Sequence, residues 1–498
     1  MTYNQLELLP PQKSNYLISN FSYGELCQDS ERNKLEKHFS SVLNITKKNN
    51  RQSVSFQLSK NNGAYGWFRY KEGFSSKLVE QFLKEMNLPK GATVLDPFVG
   101  SGTTSLVCSQ LGINSIGCDI LPTSKISVTA KANINKYNIS EIESIINKLD
   151  NLKRPSSFKN RINWVNITEF AYPDETDYDL CYLNHWIENS NFSDNATTLL
   201  KLAILNSLES ISYTSKSGQY LKWDNRSQKI KNRNSKRKER NLPPLKSSLD
   251  KGNLPHAYST ISKELKTMLN DIKNYQSSNR DSKMSFIQDS ILHSLPELDS
   301  NSINGVITSP PYLNRYDYTR TYALELAYLG LSNQEFKQLR QKLLSSTVEN
   351  KTKIPWLKDL YSRLHKENDY NKIINFLRSD AVLQEINAAM IEREKNGDLN
   401  NKGVIRMVKG YFDELSFIIF ELHRILKKGA LFFTVNDNVR YGGEVIPVDF
   451  ISSHIAESFG FEVVRIDTIP QQKGNSSQQM KKFGRVPLRK SITVWKNL

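Results

Sequence analysis

Apolar positions along the chain follow two periods. From Ser75 the text "SSKLVEQFLKEMNL" places Leu78, Phe82 and Met86 on one face of a 3.6-residue repeat, which predicts a helix with Ser75 as its N-cap. Shorter apolar runs bounded by turn residues predict strands in "ATVLD", "NSIGCDI", "MSFIQDSI" and "NGVIT". Helical text lies between them, from Thr103 to Gly112 and from about Pro122 to Asn135. Strand, helix, strand, helix is the opening of a doubly wound α/β sheet.

Two stretches interrupt that alternation. Residues 137–283 turn polar, with helical pieces such as "ATTLLKLAILNSL" and a basic run, "KIKNRNSKRKERNLPPLKSS"; residues 332–408 are charged helical text. Sheet logic returns near the end. "YFDELSFIIFELHRILKKG" predicts a helix closed by Gly429 as C-cap. "ALFFTVND", "FEVVRIDTIP" and "RKSITVWK" predict strands, with a helix in "PVDFISSHIAESFG". The expected organisation is an N-terminal extension of unassigned role (1–60), a ligand-binding part of the sheet (61–136), an insertion (137–283), a second sheet part (284–331), a smaller helical insertion (332–408) and the closing sheet part (409–498). No repeat of fixed period is present.

The 498 residues carry a formal charge of +17, which favours an anionic partner, nucleic acid ahead of a membrane surface. The N-terminal text has no basic-then-apolar layout of a secretion signal, and no run reaches the roughly 18 apolar residues of a membrane span. A cytoplasmic, membrane-independent protein is expected. Cys27, Cys108, Cys118 and Cys181 form no C-x-x-C pair, so buried free thiols are expected and no metal site.

Two stretches carry chemistry. In "VLDPFVGSGTT" an apolar run ends at Asp96, and Gly100 and Gly102 bracket Ser101 before a helix begins. Glycines allow positive φ and close approach of a ligand, and the helix start offers free N–H groups to an anion. The third glycine of the dinucleotide fingerprint and the Walker lysine are both missing. Asp119 ends the next strand 23 residues after Asp96, where nucleoside-binding folds hold a ribose diol. A nucleoside ligand is the reading that uses all of these together. The other stretch is "TSPPY", directly after "GVI". Consecutive prolines cannot extend a sheet, so the chain leaves it in a stiff turn between a serine and a tyrosine.

Together "DPFVGSGTT" and "TSPPY" resemble the cofactor and catalytic motifs of the amino-directed DNA methyltransferases that use S-adenosylmethionine. The resemblance extends to "RYKEGFSSKLV", "SFIQDS" and "NRYDYTRTYALEL" and covers about half the chain. It implies a class I, Rossmann-like methyltransferase sheet of seven strands with the last antiparallel. The large insertion would lie between the second and third strands, and the smaller one after the catalytic motif. Cofactor contacts carried over are Phe74, Asp96, Phe98, Gly100, Gly102, Thr103, Asp119 and Asp289; the catalytic set is Ser309, Pro310, Pro311 and Tyr312.

The chemistry suits those residue types. An exocyclic base amine is a poor nucleophile because its lone pair is delocalised into the ring. The Ser309 hydroxyl and Pro310 carbonyl, accepting its hydrogens, would localise that pair, and Tyr312 would stack on a flipped-out base. Serine in first place favours cytosine N4. Adenine N6, an RNA guanine-N2 methyltransferase and a DNA-binding protein that has lost catalysis are the alternatives. Within the 137–283 insertion, Lys229, Lys231, Arg233, Lys236, Arg237, Lys238 and Arg240 are candidates for phosphate contact on duplex DNA. Lys473, Lys481, Lys482 and Arg485 form a second basic loop. A restriction endonuclease encoded separately is the partner that the resemblance implies.

Overall fold

The computed structural model describes residues 30–46, 48–218, 220–245, 249–275, 282–469 and 488–498. The basic loop with Lys473, Lys481, Lys482 and Arg485 lies outside them, as does Cys27. Twelve strands are present among the described residues: β1 (Leu43–Ile45), β2 (Thr93–Asp96), β3 (Asn114–Cys118), β4 (Thr214–Ser217), β5 (Tyr220–Trp223), β6 (Met284–Ile287), β7 (Ile303–Thr308), β8 (Leu426–Asp437), β9 (Val439–Tyr441), β10 (Glu444–Ile446), β11 (Phe461–Ile469) and β12 (Lys490–Asn497).

Eight strands form one sheet in the order β1-β11-β12-β8-β7-β2-β3-β6. Pairs β1/β11, β8/β7, β7/β2, β2/β3 and β3/β6 are parallel, and β12 runs antiparallel between β8 and β11. Seven of the eight strands match the expected class I methyltransferase sheet with its last strand reversed. The eighth, β1, comes from the N-terminal stretch. Three residues between turns are too short to show a period, so nothing in the text announces it.

Neighbouring strand residues point to opposite faces, and both faces are covered. Val94, Ile307, Phe433 and Val494 face one apolar core; Leu95, Val306, Phe432 and Trp495 face the other. The first core takes the helix Ser76–Met86, whose start is capped as expected by Ser75. The second takes the helices Gly403–Ile425 and Val448–Ser458. Parts of segment 137–283 share the first core. Helix Ala257–Asn274 packs on Ile139–Asp150 and Asp194–Ser207, and Asp194–Ser207 packs on Pro122–Ala132.

Two sequence expectations need correction. The long C-terminal helix ends at Ile425, with Leu426 as its cap. Gly429, at φ +79°, instead turns the chain within the start of β8, beside the register shift between Ile303 and Gly305 on β7. Cys108 and Cys118 are buried free thiols, but Cys181 is only half-buried, on the amphipathic helix Asp174–Glu188. Among the described residues no helix is long and apolar enough to cross a membrane, and no cluster of three or more His, Cys, Asp or Glu side chains is placed to hold a metal.

Candidate active site

The glycine loop lies at the carboxyl end of β2, where a parallel sheet opens a crevice. Gly100 (φ +52°) and Gly102 (φ +87°) adopt the left-handed backbone the sequence predicts. A side chain at Gly100 would meet the Tyr70 ring at 2.6 Å. Behind the loop, Lys131 is fully buried and donates to the Ser101 carbonyl at 2.6 Å; Ser127 donates to the same oxygen at 3.0 Å. Burial without an acid partner lowers the Lys131 amine to about 7.

The two acids of this half differ in use. Asp96 is buried with both oxygens occupied: it accepts from Thr104 Oγ1 at 2.6 Å, Thr308 Oγ1 at 2.9 Å and Phe98 N–H at 3.1 Å. It therefore ties the glycine loop to the end of β7, one residue before Ser309. Asp119 accepts from the Gly100 N–H at 3.1 Å, the Leu121 N–H at 2.9 Å and the Tyr70 hydroxyl at 3.2 Å, and it reaches the cleft. Burial raises both carboxyls to about 6 against their hydrogen bonds.

One cleft joins the two motifs. Its walls include Tyr70, Phe98, Asp119, Asp289, Ser309, Pro311 and Tyr318, with about 530 Å³ of empty space counting what opens to solvent. Asp289 is about one-third exposed and lies 2.7 Å from His293 Nδ1. Phe74 is not on that wall. It is 5 % exposed within the apolar core, and Tyr70, four residues earlier, supplies the aromatic face, stacked on Tyr318 and Tyr322 at 5.7 and 5.4 Å. Thr103 is buried at the first position of its helix. Positive-φ glycines, a free helix start, Asp119 and aromatic walls suit a nucleoside that also carries a carboxylate, so the residues present fit S-adenosylmethionine.

The S-P-P-Y turn is held from far away in sequence. Ser309 Oγ lies 3.2 Å from the Val435 carbonyl and 3.0 Å from the Tyr312 hydroxyl. Lys490 donates to that hydroxyl at 2.9 Å, and its ammonium stands 4.4 Å over the Tyr312 ring. Glu72, a non-glycine residue at φ +64°, accepts from Tyr312 N–H at 3.3 Å, Asn314 Nδ2 at 2.7 Å and the Tyr318 hydroxyl at 3.0 Å. Burial raises the Glu72 carboxyl above its ordinary value. Pro310 and Pro311 are buried. Tyr312, expected to offer its face to a base, is 1 % exposed in this conformation, because Lys490 covers the ring and anchors the hydroxyl.

The basic run is the helix Gln228–Glu239, capped by Ser227 and fixed to the protein by Ile230, its one buried residue. Lys231, Arg233, Lys236, Lys238 and Arg240 are exposed; Arg237 Nε donates to the Pro243 carbonyl at 2.7 Å. Lys229 is a correction. It turns inward, donating to the Asn166 carbonyl with its ammonium 4.7 Å over the Trp223 ring, and burial lowers it to about 8. Sequence reasoning missed Tyr70, Glu72, Lys131, Tyr318 and Lys490. Tyr70, Glu72 and Tyr318 sit in stretches that carry the family resemblance, whereas nothing near Lys490 signals a role.

Known proteins resemble the chain over nearly its whole length. The Type II methyltransferase M.BsoBI of Geobacillus stearothermophilus is 49% identical over 97% of this chain and 95% of its own. The Type II methyltransferase M.AvaI, from Nostoc sp. and from Anabaena variabilis, is 39% identical over 93% of this chain and 92% of its own. A family model described as DNA methylase matches residues 3–127, and one described as D12 class N6 adenine-specific DNA methyltransferase matches residues 71–247. With a cleft that unites the glycine loop and the S-P-P-Y turn, and with relatives of this extent, the chain belongs to the amino-directed Type II DNA methyltransferases, enzymes that use S-adenosyl-L-methionine.

Proposed function

We propose that the protein methylates the exocyclic N4 amino group of a flipped cytosine at a specific site in duplex DNA, and that it protects that site from a separately encoded endonuclease. The observation that carries this reading is Ser309, a neutral hydroxyl on the wall of the cleft that also holds Asp119 and Phe98. S-adenosylmethionine, when bound, supplies an electrophilic methyl group. Asp119 and the Gly100–Gly102 loop would hold its nucleoside and amino-acid ends, with Asp289 and Phe98 beside the adenine. The Ser309 hydroxyl and Pro310 carbonyl accept the amine hydrogens, and Pro310 and Pro311 keep those acceptors fixed before substrate arrives.

DNA recognition is assigned to segment 137–283. The hairpin β4–β5 meets the catalytic loop where the Tyr316 hydroxyl donates to the Gly218 carbonyl at 3.1 Å, and the basic helix follows β5 directly. Its exposed cations would sit on phosphates flanking the flipped base.

A second reading, methylation of adenine N6, is favoured by the match to the D12 class over residues 71–247. The test is transfer of labelled methyl from S-adenosylmethionine to mixed-sequence duplex DNA, with mass identification of the modified nucleoside and Ser309→Ala as control. N4-methylcytosine lost in the control is expected. N6-methyladenine transfers the assignment to the second reading, and label in RNA alone overturns both.

A further inference from the structure

Among the described residues Lys131 is the lysine buried completely, and it is buried against the glycine loop. Three residues of helix Pro122–Ala132 back that loop. Ser127 and Lys131, one turn apart, donate to the Ser101 carbonyl at 3.0 and 2.6 Å, and a side chain at Gly102 would meet Val128 Cγ2 at 3.0 Å. Ser127 already satisfies the carbonyl. What the lysine adds is a charge, and a charge taken out of water without a counter-ion is costly. Among the described residues no carboxylate pairs with it. Helix Thr103–Gln110 brings Cys108 to this helix, and helix Asp194–Ser207 brings Asp194 and Lys201, both exposed. Helix Ala323–Tyr328 brings Tyr328 and Glu325, the latter paired with Lys216, and β6 brings no titratable group. Tyr137 donates its hydroxyl to the Ala130 carbonyl at 2.8 Å. Asp96 and Asp119 are taken up by the hydroxyls of Thr104 and Thr308 and by the N–H groups of Gly100 and Leu121. The helix Thr103–Gln110 starts at the loop with no side chain capping it, and Thr103 and Thr104 are buried there. Its first N–H groups and the Lys131 amine therefore concentrate positive potential at the loop.

We propose that Lys131 supplies the counter-charge for the carboxylate of S-adenosylmethionine, as a positioning residue that acts through the Ser101 peptide and couples cofactor binding to uptake of a proton from solvent. The inference rests on reading the Gly100–Gly102 loop as the holder of the cofactor's amino-acid end. A neutral amine still donates to the Ser101 carbonyl, so the loop keeps its shape with Lys131 uncharged. Burial lowers the amine to about 7, which leaves it mostly neutral at pH 8. A carboxylate arriving at the loop favours the ammonium, and the amine gains a proton. The same coupling separates S-adenosylmethionine from 5′-methylthioadenosine, which keeps the nucleoside and the sulfur and lacks the carboxylate.

Calorimetry with both ligands at pH 7 and 8, in buffers of different ionisation enthalpy, tests it on the parent, Lys131→Met and Lys131→Gln. Methionine keeps the apolar stem, glutamine keeps a donor for the Ser101 carbonyl, and neither can be charged. The cofactor's own amine titrates in this range, so the share of Lys131 is the difference between parent and variants. Asp96 and Asp119, raised to about 6, are ionised at pH 8 and drop out. A tenfold gain in the proton affinity of the Lys131 amine on binding corresponds to about fivefold in cofactor affinity at pH 7 and about 0.4 proton at pH 8. Both variants should lose at least that much with S-adenosylmethionine and bind methylthioadenosine as the parent does. Equal proton uptake in parent and variants, parental cofactor affinity in Lys131→Gln, or equal weakening of both ligands overturns the inference. Asp119→Ala separates the two levels. If it binds S-adenosylmethionine as the parent does, the reading of the loop has failed; if it loses the cofactor while the Lys131 variants match the parent, only the role of Lys131 has.

Discussion

The two walls of the cleft are held by different kinds of contact. On the glycine-loop side, Asp96 binds Thr104 eight residues on, Asp119 binds Gly100 across 19 and Lys131 binds Ser101 across 30. On the S-P-P-Y side, Ser309 meets Val435 across 126 residues, Tyr312 meets Lys490 across 178 and Glu72 across 240. Apart from the Asp96–Thr308 bond, the first wall forms within one strand–loop–helix–strand–helix unit, residues 93–132. The second exists only once both ends of the chain have been assembled around β7. Local contacts leave a spacing pattern in the sequence and remote contacts leave none, so the walls should also fail differently when broken.

The largest effect is expected on the local wall. Asp119→Ala removes the carboxylate that bridges the Gly100 and Leu121 N–H groups and faces the cleft. Affinity for S-adenosylmethionine, measured by calorimetry, should fall at least about a hundredfold, as for loss of two hydrogen bonds to a charged group. If binding survives, the wall nearest the glycine loop is not the cofactor's.

The remote wall should show the converse. Glu72→Ala releases Tyr312 N–H, Asn314 and Tyr318 together and leaves the glycine loop intact. Single-turnover transfer is expected to drop about tenfold, the cost of loosening a positioned group, while cofactor affinity changes little. A variant that loses cofactor affinity and keeps its transfer rate would erase the distinction between the walls.

How much could be read in advance follows the same division. The strands β2, β3, β6, β7, β8, β11 and β12, the Ser75 cap and the positive-φ glycines are consequences of local period and sterics, and the text shows them. Gly429 misled because a positive-φ glycine after helical text is ordinarily a C-cap; here the helix gives way to β8 four residues earlier. Lys229 misled because a charge run looks uniform in sequence, whereas helical geometry turns one member inward over Trp223. Phe74 and Tyr70 are four residues apart in one aromatic, charged stretch, and only packing decides which ring faces the cleft. Lys490 was invisible, since its partners are set by strand register and not by sequence neighbours.

Acid should act on the local wall first. Burial raises Asp119 to about 6, so its carboxyl is increasingly protonated below that pH and a poorer acceptor for the ribose hydroxyl it is proposed to hold. The dissociation constant for S-adenosylmethionine should rise by up to about tenfold per pH unit below 6. The stability trend has the opposite sign. A carboxyl whose folded pKa is raised binds more protons when native than when unfolded, so its contribution is present below the unfolded value near 4 and is lost as pH rises through 6. Asp96 adds to the stability trend in the same window, because its carboxyl is also raised to about 6. Asp119→Asn should flatten the affinity profile and leave the Asp96 share of the stability profile in place.

The smallest effect concerns neither wall but the surface proposed to bring DNA to them. Lys231, Arg233, Lys236 and Lys238 are exposed on a helix held by little more than Ile230, so replacing all four with glutamine should leave the fold and cofactor binding unchanged. What should change is the salt dependence of DNA binding. Removing one cation from a phosphate lowers the slope of log affinity against log salt by about 0.9, so the slope of the quadruple variant should be shallower by up to about 3.6. Lys229→Gln is the internal control. Its ammonium is spent on Trp223 and the Asn166 carbonyl, and its slope should match that of the parent, although it shares the same basic run. Equal slopes for the parent and the quadruple variant would put the phosphate-binding cations on another face, and an altered slope for Lys229→Gln would mean that DNA draws the inward lysine out.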